Sequence, residues 1–202
     1  APFEVTCAAP GRGRWIDARV WAYDFNADVP GGIECAFALK TSVKSQAGEA
    51  IDGERRFVFN TGGPSVSASW PEEGSTIDEG QVFLLALDAP ADLKTVATNA
   101  FCQAAGITER LPVRVIEGEE RARIIGEQKG RARNLFAVLT KQGVVGAVAV
   151  KDRRLDDAPI LVAECARRLP PGAEVKLVWG VGIRAVSGSV TSAAQTLGFQ
   201  VR

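Results

Sequence analysis

The sequence predicts a mainly β protein of two tandem antiparallel β-sandwich domains, the second with an inserted helix and an extra strand. Three observations predict this class. Short runs with apolar residues at alternate positions recur along the chain, and Gly and Pro separate them. A strand pattern returns after a shift of 140 residues, with Pro30 matching Pro170 and Phe59 matching Phe199. Helical character of any length is confined to residues 117–139.

The repeat predicts where the chain divides. Residues 19–62 and 159–202 align without a gap, and their apolar positions fall in step. The segment Thr61–Pro64 follows closely, and its Gly-Gly-Pro sequence cannot continue a central strand. We therefore expect one sandwich over residues 1–63 and another over residues 64–202. The identical pairs are Pro30/Pro170, Gly32/Gly172, Glu34/Glu174, Gly48/Gly188 and Phe59/Phe199.

In the first unit the pattern predicts four strands. Residues 3–7 alternate apolar and polar side chains, and residues 21–25 carry a heavy aromatic face. Residues 28–32 (DVPGG) are typical of a turn, and a third strand follows at residues 35–39. A short strand at residues 57–60 closes the unit.

The second unit has more strands and one insertion. Residues 81–87 (QVFLLAL) are apolar on both faces, which is typical of a strand covered from both sides. Asp92 is placed to cap a short helix over residues 93–97. The insertion spans residues 117–158 and includes the extra strand at residues 144–150. The remaining strands are predicted at residues 66–70, 100–104, 111–116, 161–165, 175–179 and 197–201.

The helical stretch is expected to be broken, because three glycines lie within it. The pairs Glu119/Arg123 and Glu127/Arg131 stand four residues apart with the acid first, which is the favourable order on a helix. An apolar stripe predicts the buried side. It consists of Ile124, Ile125, Leu135, Phe136 and Leu139.

Composition narrows the range of partners. Apolar residues make up 46% of the chain and charged residues 24%, which is ordinary for a globular protein. The 24 basic and 24 acidic side chains cancel, which argues against nucleic acid or an anionic membrane as a partner. No apolar run reaches about 18 residues, so no membrane span is predicted. Methionine is absent even at position 1, which indicates a processed chain or a piece of a larger protein.

The four cysteines predict two disulfides. Their wide spacing, without a Cys-x-x-Cys pair, suits bridges between strands more than a metal site. Three connectivities are possible, and four buried free thiols are the alternative. We favour Cys7 with Cys35 and Cys102 with Cys165, because each pair then stays within one unit. Disulfides are typical of an exported protein.

Nothing in the sequence predicts catalysis, and we expect that the chain is not an enzyme. Histidine is absent, which removes Ser-His and Cys-His dyads and zinc sites built from histidine. Residues 180–185 (GVGIRA) spell a dinucleotide-binding fingerprint. No acidic residue and no helical pattern follow them, so a glycine-rich turn is favoured and no cofactor is expected. Residues 60–62 (NTG) resemble the Asp-Thr-Gly of aspartic proteases with an amide for the carboxylate, and a strand end is favoured.

Charged side chains form two kinds of cluster. Acidic neighbours at residues 72–73, 78–79 and 156–157 lack the regular spacing of a calcium loop, so solvated turns are favoured and no metal is expected. The basic cluster is interleaved with acids, which predicts a solvated helix face, with a partner surface as the alternative. Its members are Arg121, Arg123, Lys129, Arg131 and Arg133.

The tryptophans have two interpretations. Trp21 and Trp179 lie on alternating apolar strands, where core packing is the usual role. Trp15 and Trp70 lie nearer turns, which leaves a sugar-stacking platform open as an alternative.

Several phrases resemble a known family. The run FNTGGPSVSASWPEEGSTIDEGQVFLLALDAP and the phrase RLPPGAEVKLVWGVGI are similar to the N-terminal region of large exported bacterial alpha-2-macroglobulin family proteins. The strand, turn and strand order around residues 81–90, 169–172 and 197–201 resembles the Ig-like repeat of bacterial surface proteins, the S-layer type. The resemblance covers most of the chain and contains no catalytic motif.

The resemblance implies a role without chemistry of its own. Members of that family trap proteases: a bait segment is cut, the molecule closes, and in many members a Cys-x-Glu-Gln thioester captures the attacker. None of the four cysteines begins such a sequence, so no functional residue is carried over. We expect two Ig-like domains in an exported structural and docking module, periplasmic or at the cell surface. Its partners would be other domains of the parent chain, proteases or envelope proteins, and an adhesin or carbohydrate-binding Ig-like module is the alternative.

Comparing the two units predicts that residues are missing at the start of the first unit. If Cys7 corresponds to Cys102, the first unit has far fewer residues before its cysteine than the second. About two strands would then be lacking at the start of the first sandwich. An incomplete sandwich leaves an exposed strand edge that tends to pair with another molecule.

Overall fold

The chain is mainly β, as predicted, with antiparallel sandwiches, and the helices of the described residues lie in the second part. The computed structural model describes residues 1–7, 9–27, 29, 31, 33–45, 47–145 and 155–202. It contains two compact units, residues 1–29 with 33–61 and residues 30–32 with 62–202. The limits proposed above for two Ig-like domains stay predictions.

Unit 1, the first of these, has two small sheets. β1 (Phe3–Cys7), β4 (Glu34–Leu39) and β5 (Arg56–Asn60) form an antiparallel sheet with β4 in the middle. β2 (Gly11–Trp15) and β3 (Trp21–Phe25) form an antiparallel ribbon. The aromatic side chains of β3 contact those of the three-stranded sheet, so the two layers form a small sandwich.

In unit 2 eight strands continue one into the next in the order β6, β8, β11, β10, β9, β12, β13, β7. All neighbours are antiparallel except β13 and β7. β10 pairs with β11 on one side and with β9 on the other, so it belongs to both layers of the sandwich. The sheet therefore folds over itself and encloses a core. The strands are β6 (Val66–Trp70), β7 (Thr76–Ile77), β8 (Val82–Leu87), β9 (Ala100–Ala104), β10 (Leu111–Ile116), β11 (Ile160–Cys165), β12 (Glu174–Trp179) and β13 (Gln195–Val201).

The prediction that the strand at residues 81–87 is covered on both faces is confirmed. Phe83 and Leu85 belong to the core inside the sandwich. Leu84 and Ala86, which alternate with them, belong to a second core under the helices. Because successive side chains of a strand point to opposite faces, a strand buried on both sides must be apolar throughout.

The helices are α1 (Leu93–Asn99), α2 (Gly118–Glu127) and α3 (Lys129–Lys141). Asp92 caps α1 as predicted, its side chain accepting a hydrogen bond from the Lys94 backbone N–H at 3.1 Å. The expected break in the long helical stretch falls at Gln128, between α2 and α3. All five residues of the predicted apolar stripe are buried.

The repeat extends to the hydrogen-bonded registers. In β4 and β5, Cys35 lies opposite Phe59, and in β12 and β13, Val175 lies opposite Phe199, each residue shifted by 140. An isolated bridge joins Lys44 to Ala50. Its counterpart joins Arg184 to Val190 after the same shift. The structure therefore contains the repeated β unit that the sequence predicts.

The register corrects one correspondence. On its other side, β4 pairs with β1, where Cys7 lies opposite Cys35. The counterpart of Cys35 is Val175, and on the matching side of β12 the residue opposite Val175 is Ala104 of β9. Cys7 therefore corresponds to Ala104 and not to Cys102 as expected. The predicted extra strand at residues 144–150 falls mainly outside the described residues. In the described part of the chain no helix is long and apolar enough to cross a membrane.

Candidate functional site

Both disulfides are present, with the pairing that the sequence favours. The bond between Cys7 and Cys35 joins directly opposite residues of neighbouring strands in one sheet. The bond between Cys102 and Cys165 joins β9 to β11, the two strands that flank β10. The first disulfide strengthens a strand pair, and the second closes the sandwich.

The GVGIRA segment forms a turn with structural contacts. Gly180 packs so tightly that a Cβ there would lie 2.2 Å from the carbonyl oxygen of Asn99, and Gly182 has a φ of +92°. The Thr191 hydroxyl donates to the Gly180 carbonyl at 2.9 Å and accepts from the Ile183 N–H at 3.0 Å. No helix occurs in residues 180–194, so the backbone N–H groups lack the helix N-terminus that a pyrophosphate needs.

The NTG segment ends a strand. Asn60 is the last residue of β5, and the Thr61 hydroxyl accepts a hydrogen bond from the Ile33 N–H at 2.9 Å. The Thr61 N–H donates to the Ile33 carbonyl at 2.9 Å. These contacts extend the pairing with the segment before β4.

The acidic neighbours Asp78 and Glu79 lie beside arginine side chains. Asp78 pairs with Arg202 at 3.4 Å, and Glu79 lies 3.9 Å from Arg168. Within the described residues no three acidic or cysteine side chains are grouped as metal ligands. The side chain of Asp156 is outside the described part.

The basic cluster is only partly the solvated face that the sequence predicts. Arg121 is half-buried, and its guanidinium donates to the Ile160 carbonyl at 3.0 Å, which ties α2 to the start of β11. Arg123 pairs with Glu127 at 2.8 Å, and not with Glu119 as expected. Arg131 donates to the Gln128 side chain at 2.8 Å instead of to Glu127. Arg123 and Glu127 are also four residues apart, within α2, whereas Glu127 and Arg131 lie on opposite sides of the helix break at Gln128.

An ion-pair network that the sequence did not predict lies at the edge of α2. Arg114 on β10 hydrogen-bonds to Glu164 on β11 at 2.8 Å and to both carboxylate oxygens of Glu120 at 3.0 and 3.1 Å. The hydrogen bond from Arg114 lowers the pKa of the Glu120 carboxyl, and the bonds to the two acids raise the pKa of Arg114. The network joins a helix to two strands.

The tryptophans divide between core and surface. Trp179 is buried and its indole N–H donates to the Pro64 carbonyl at 2.7 Å. Trp70 lies beneath the guanidinium of Arg131, which is 4.1 Å from the ring centroid. Trp15 is 55% exposed at the end of the β2–β3 ribbon, where Ile16 is exposed too.

A cluster of aromatic rings in unit 1, which we call the open aromatic face, is the strongest candidate for binding. The rings contact one another at centroid distances between 5.1 and 6.5 Å, for example 5.3 Å for Tyr23 and Phe37 and 6.1 Å for Phe37 and Phe59. The Trp21 and Tyr23 rings lie over glycines of β2, where an added Cβ would approach them within 2.1 to 2.4 Å. The members are Phe3, Trp21, Tyr23, Phe25, Phe37, Phe57 and Phe59.

None of these rings is buried. Phe59 is 40% exposed and Phe57 46% exposed, whereas their counterparts in unit 2, Phe199 and Leu197, are 5% and 7% exposed. The aromatic face of residues 21–25 was visible in the sequence, but its exposure was not. The repeat did offer a signal for the exposure of Phe59. Phe199 in unit 2 is covered by β8, and β8 has no predicted counterpart in unit 1.

No protein-family model and no curated protein matches the chain. Among solved structures, the chain is similar to domains 1–6 of the surface layer protein SbsC, with a TM-score of 0.37 and 15% identity over 68% of this chain and 13% of that one. It is also similar to the N-terminal part of the bacterial S-layer protein SbsC, with a TM-score of 0.38 and 15% identity over 69% of this chain and 24% of that one. The chain spans less than a quarter of either structure. We assign no function from a likeness at these TM-scores.

Proposed function

We propose that the chain is a non-catalytic structural and interaction module of an exported bacterial protein. The observation that carries the proposal is a repeated β unit with one disulfide in each unit. Disulfides persist in oxidising compartments, which supports the periplasm or the cell surface. Hydroxyl-to-backbone hydrogen bonds hold both motif-like segments, from Thr61 within residues 60–62 and from Thr191 to residues 180–185, which supports a role as scaffold.

The finer proposal is that the parent is an alpha-2-macroglobulin-like protein that traps proteases. Its support is the sequence resemblance, whose main phrases include the strands β8 and β12. The chain would then position neighbouring domains or contact proteases and envelope proteins, while bait and thioester lie elsewhere in the parent. No residue of this chain is assigned a step in trapping.

The full sequence of the parent gene tests the finer proposal. A bait-like stretch and a Cys-x-Glu-Gln motif downstream are expected. Their absence from a complete parent would contradict membership of that family and leave the coarser proposal in place.

The coarser proposal is tested by producing the chain with and without export, and then counting free thiols. Exported protein is expected to have none and to resist proteolysis better than the reduced form.

The second candidate function is carbohydrate binding by an adhesin-like module, which the exposure of Trp15 favours. An aromatic side chain exposed at a hairpin end is able to stack on a sugar ring. A glycan array with the whole chain is the test. Binding that is lost in Trp15→Ala and kept in Trp70→Ala would support this function, because Arg131 covers Trp70. An array without signal would remove it.

A further inference from the structure

The starting point is a difference between two equivalent strands. β3 in unit 1 corresponds to β11 in unit 2 by the shift of 140 residues. β11 lies between β10 and β8, and pairs with both. Among the described residues β3 pairs with β2 alone, so one edge of β3 has no neighbouring strand.

We propose that this open edge of β3 accepts an antiparallel β-strand with large apolar side chains at alternate positions, supplied by a polypeptide segment outside these 202 residues. Strand addition of this kind combines main-chain hydrogen bonds with pockets for every second side chain. The inference rests on the chain being an interaction module, but it does not depend on which protein the parent is.

Unit 2 shows what the incoming strand would resemble. In its register Leu85 of β8 lies opposite Leu161, and Phe83 lies opposite Ala163. The counterparts of these two β11 residues in unit 1 are Trp21 and Tyr23. An added strand in the same register would therefore place two apolar side chains over the open aromatic face.

Ring contacts support the same register. Phe83 packs against Phe199 with a centroid distance of 5.1 Å, and both side chains are buried. The counterpart of Phe199 is Phe59, which is 40% exposed. The ring that β8 covers in unit 2 is thus uncovered in unit 1, at the place where a Phe of an added strand would lie.

The occupant is not a second copy of this chain. The suitable strand, β8, has five consecutive buried residues between its own two cores, so a copy could donate it only by opening unit 2. A segment from elsewhere requires no such opening, and we commit to it.

The probe is a peptide with the alternation of β8. It keeps Phe83, Leu85 and Leu87, has threonine between them, and has lysines at both ends for solubility. The control peptide has the same composition with the three apolar residues adjacent. Hydrogen exchange of the whole oxidised chain is measured with each peptide. Exchange in Trp21–Phe25 is expected to slow about tenfold at about ten times the dissociation constant, with no change in Ile160–Cys165.

A double-mutant cycle tests the register. Phe59→Ala in the protein and Phe→Ala in the peptide should each weaken binding, and their effects should be coupled by about two- to tenfold, as for an aromatic pair. Because the peptide change leaves the protein intact, the proposal stays testable if Phe59→Ala fails to fold. Equal protection by both peptides, no protection of β3, or protection of β3 by self-association of the chain would each overturn it. Failure here leaves the thiol and parent-gene tests of the proposed function unaffected.

Discussion

Replacing Thr191 by valine tests whether the turn after β12 depends on a single hydroxyl group. Thr191 is 8% exposed, and its hydroxyl bridges the Gly180 carbonyl and the Ile183 N–H. Valine has nearly the same shape, so the change removes two hydrogen bonds without opening a cavity. Gly180 and Ile183 are both buried, so water cannot readily replace the hydroxyl.

The expected loss of stability follows from leaving the Gly180 carbonyl and the Ile183 N–H without the Thr191 hydroxyl as a partner. Each such group costs about 1–3 kcal/mol, so Thr191→Val should lower the free energy of unfolding by about 2–6 kcal/mol. Thr191→Ser is the matched control, because it keeps the hydroxyl and removes one methyl group, at a cost of about 1 kcal/mol.

Urea unfolding of the oxidised chain, followed by tryptophan fluorescence to which buried Trp179 contributes, is the measurement. Thr191→Val should have a clearly lower midpoint than Thr191→Ser, with an unchanged slope. If valine were as stable as wild type, or if serine were the less stable of the two, the hydroxyl would not hold this turn.

Three further predictions concern unit 2. Replacing Cys102 and Cys165 by alanine should lower the unfolding free energy by about 4 kcal/mol, as chain entropy predicts for a separation of 63 residues; an unchanged urea midpoint would contradict this. Leu84→Ala and Leu85→Ala should each cost about 2–5 kcal/mol, since both faces of β8 are buried; if only one of them lowers the urea midpoint, β8 has one buried face. Arg114→Gln should lower the melting temperature more at pH 7 than near pH 3. The lowered pKa of its Glu120 partner means that the carboxylate stabilises the fold above its unfolded pKa, and this contribution is lost as the pH falls through the folded value. An equal loss at both pH values would indicate packing in place of charge.

Local pattern was sufficient to place most strands. Apolar alternation located β1, β3 and β4, because the period of side chains along a strand is a property of the backbone. The doubly apolar run of β8 also predicted two covering layers, and the helices of the insertion supply one of them. Cysteine positions were enough to favour the observed disulfides, since each bridge then stays within one unit of the repeat.

The contacts of the charged side chains could not be predicted from local pattern. Arg121 was expected in solvent, yet it bonds to the carbonyl of Ile160, which is 39 residues away. Arg114 likewise joins groups from a strand and a helix. Such contacts depend on how elements pack, and a charged side chain has the same local pattern whether or not a carbonyl comes within reach.

The sequence by itself determined the fold class and the repeated unit and favoured the observed disulfide pairs, because each depends on spacing along one segment or on a match between two. Tertiary structure decided that Phe57 and Phe59 of unit 1 are exposed while their counterparts in unit 2, Leu197 and Phe199, are buried. Burial depends on which strand lies alongside, and β11 has β8 beside it whereas the corresponding edge of β3 is open among the described residues.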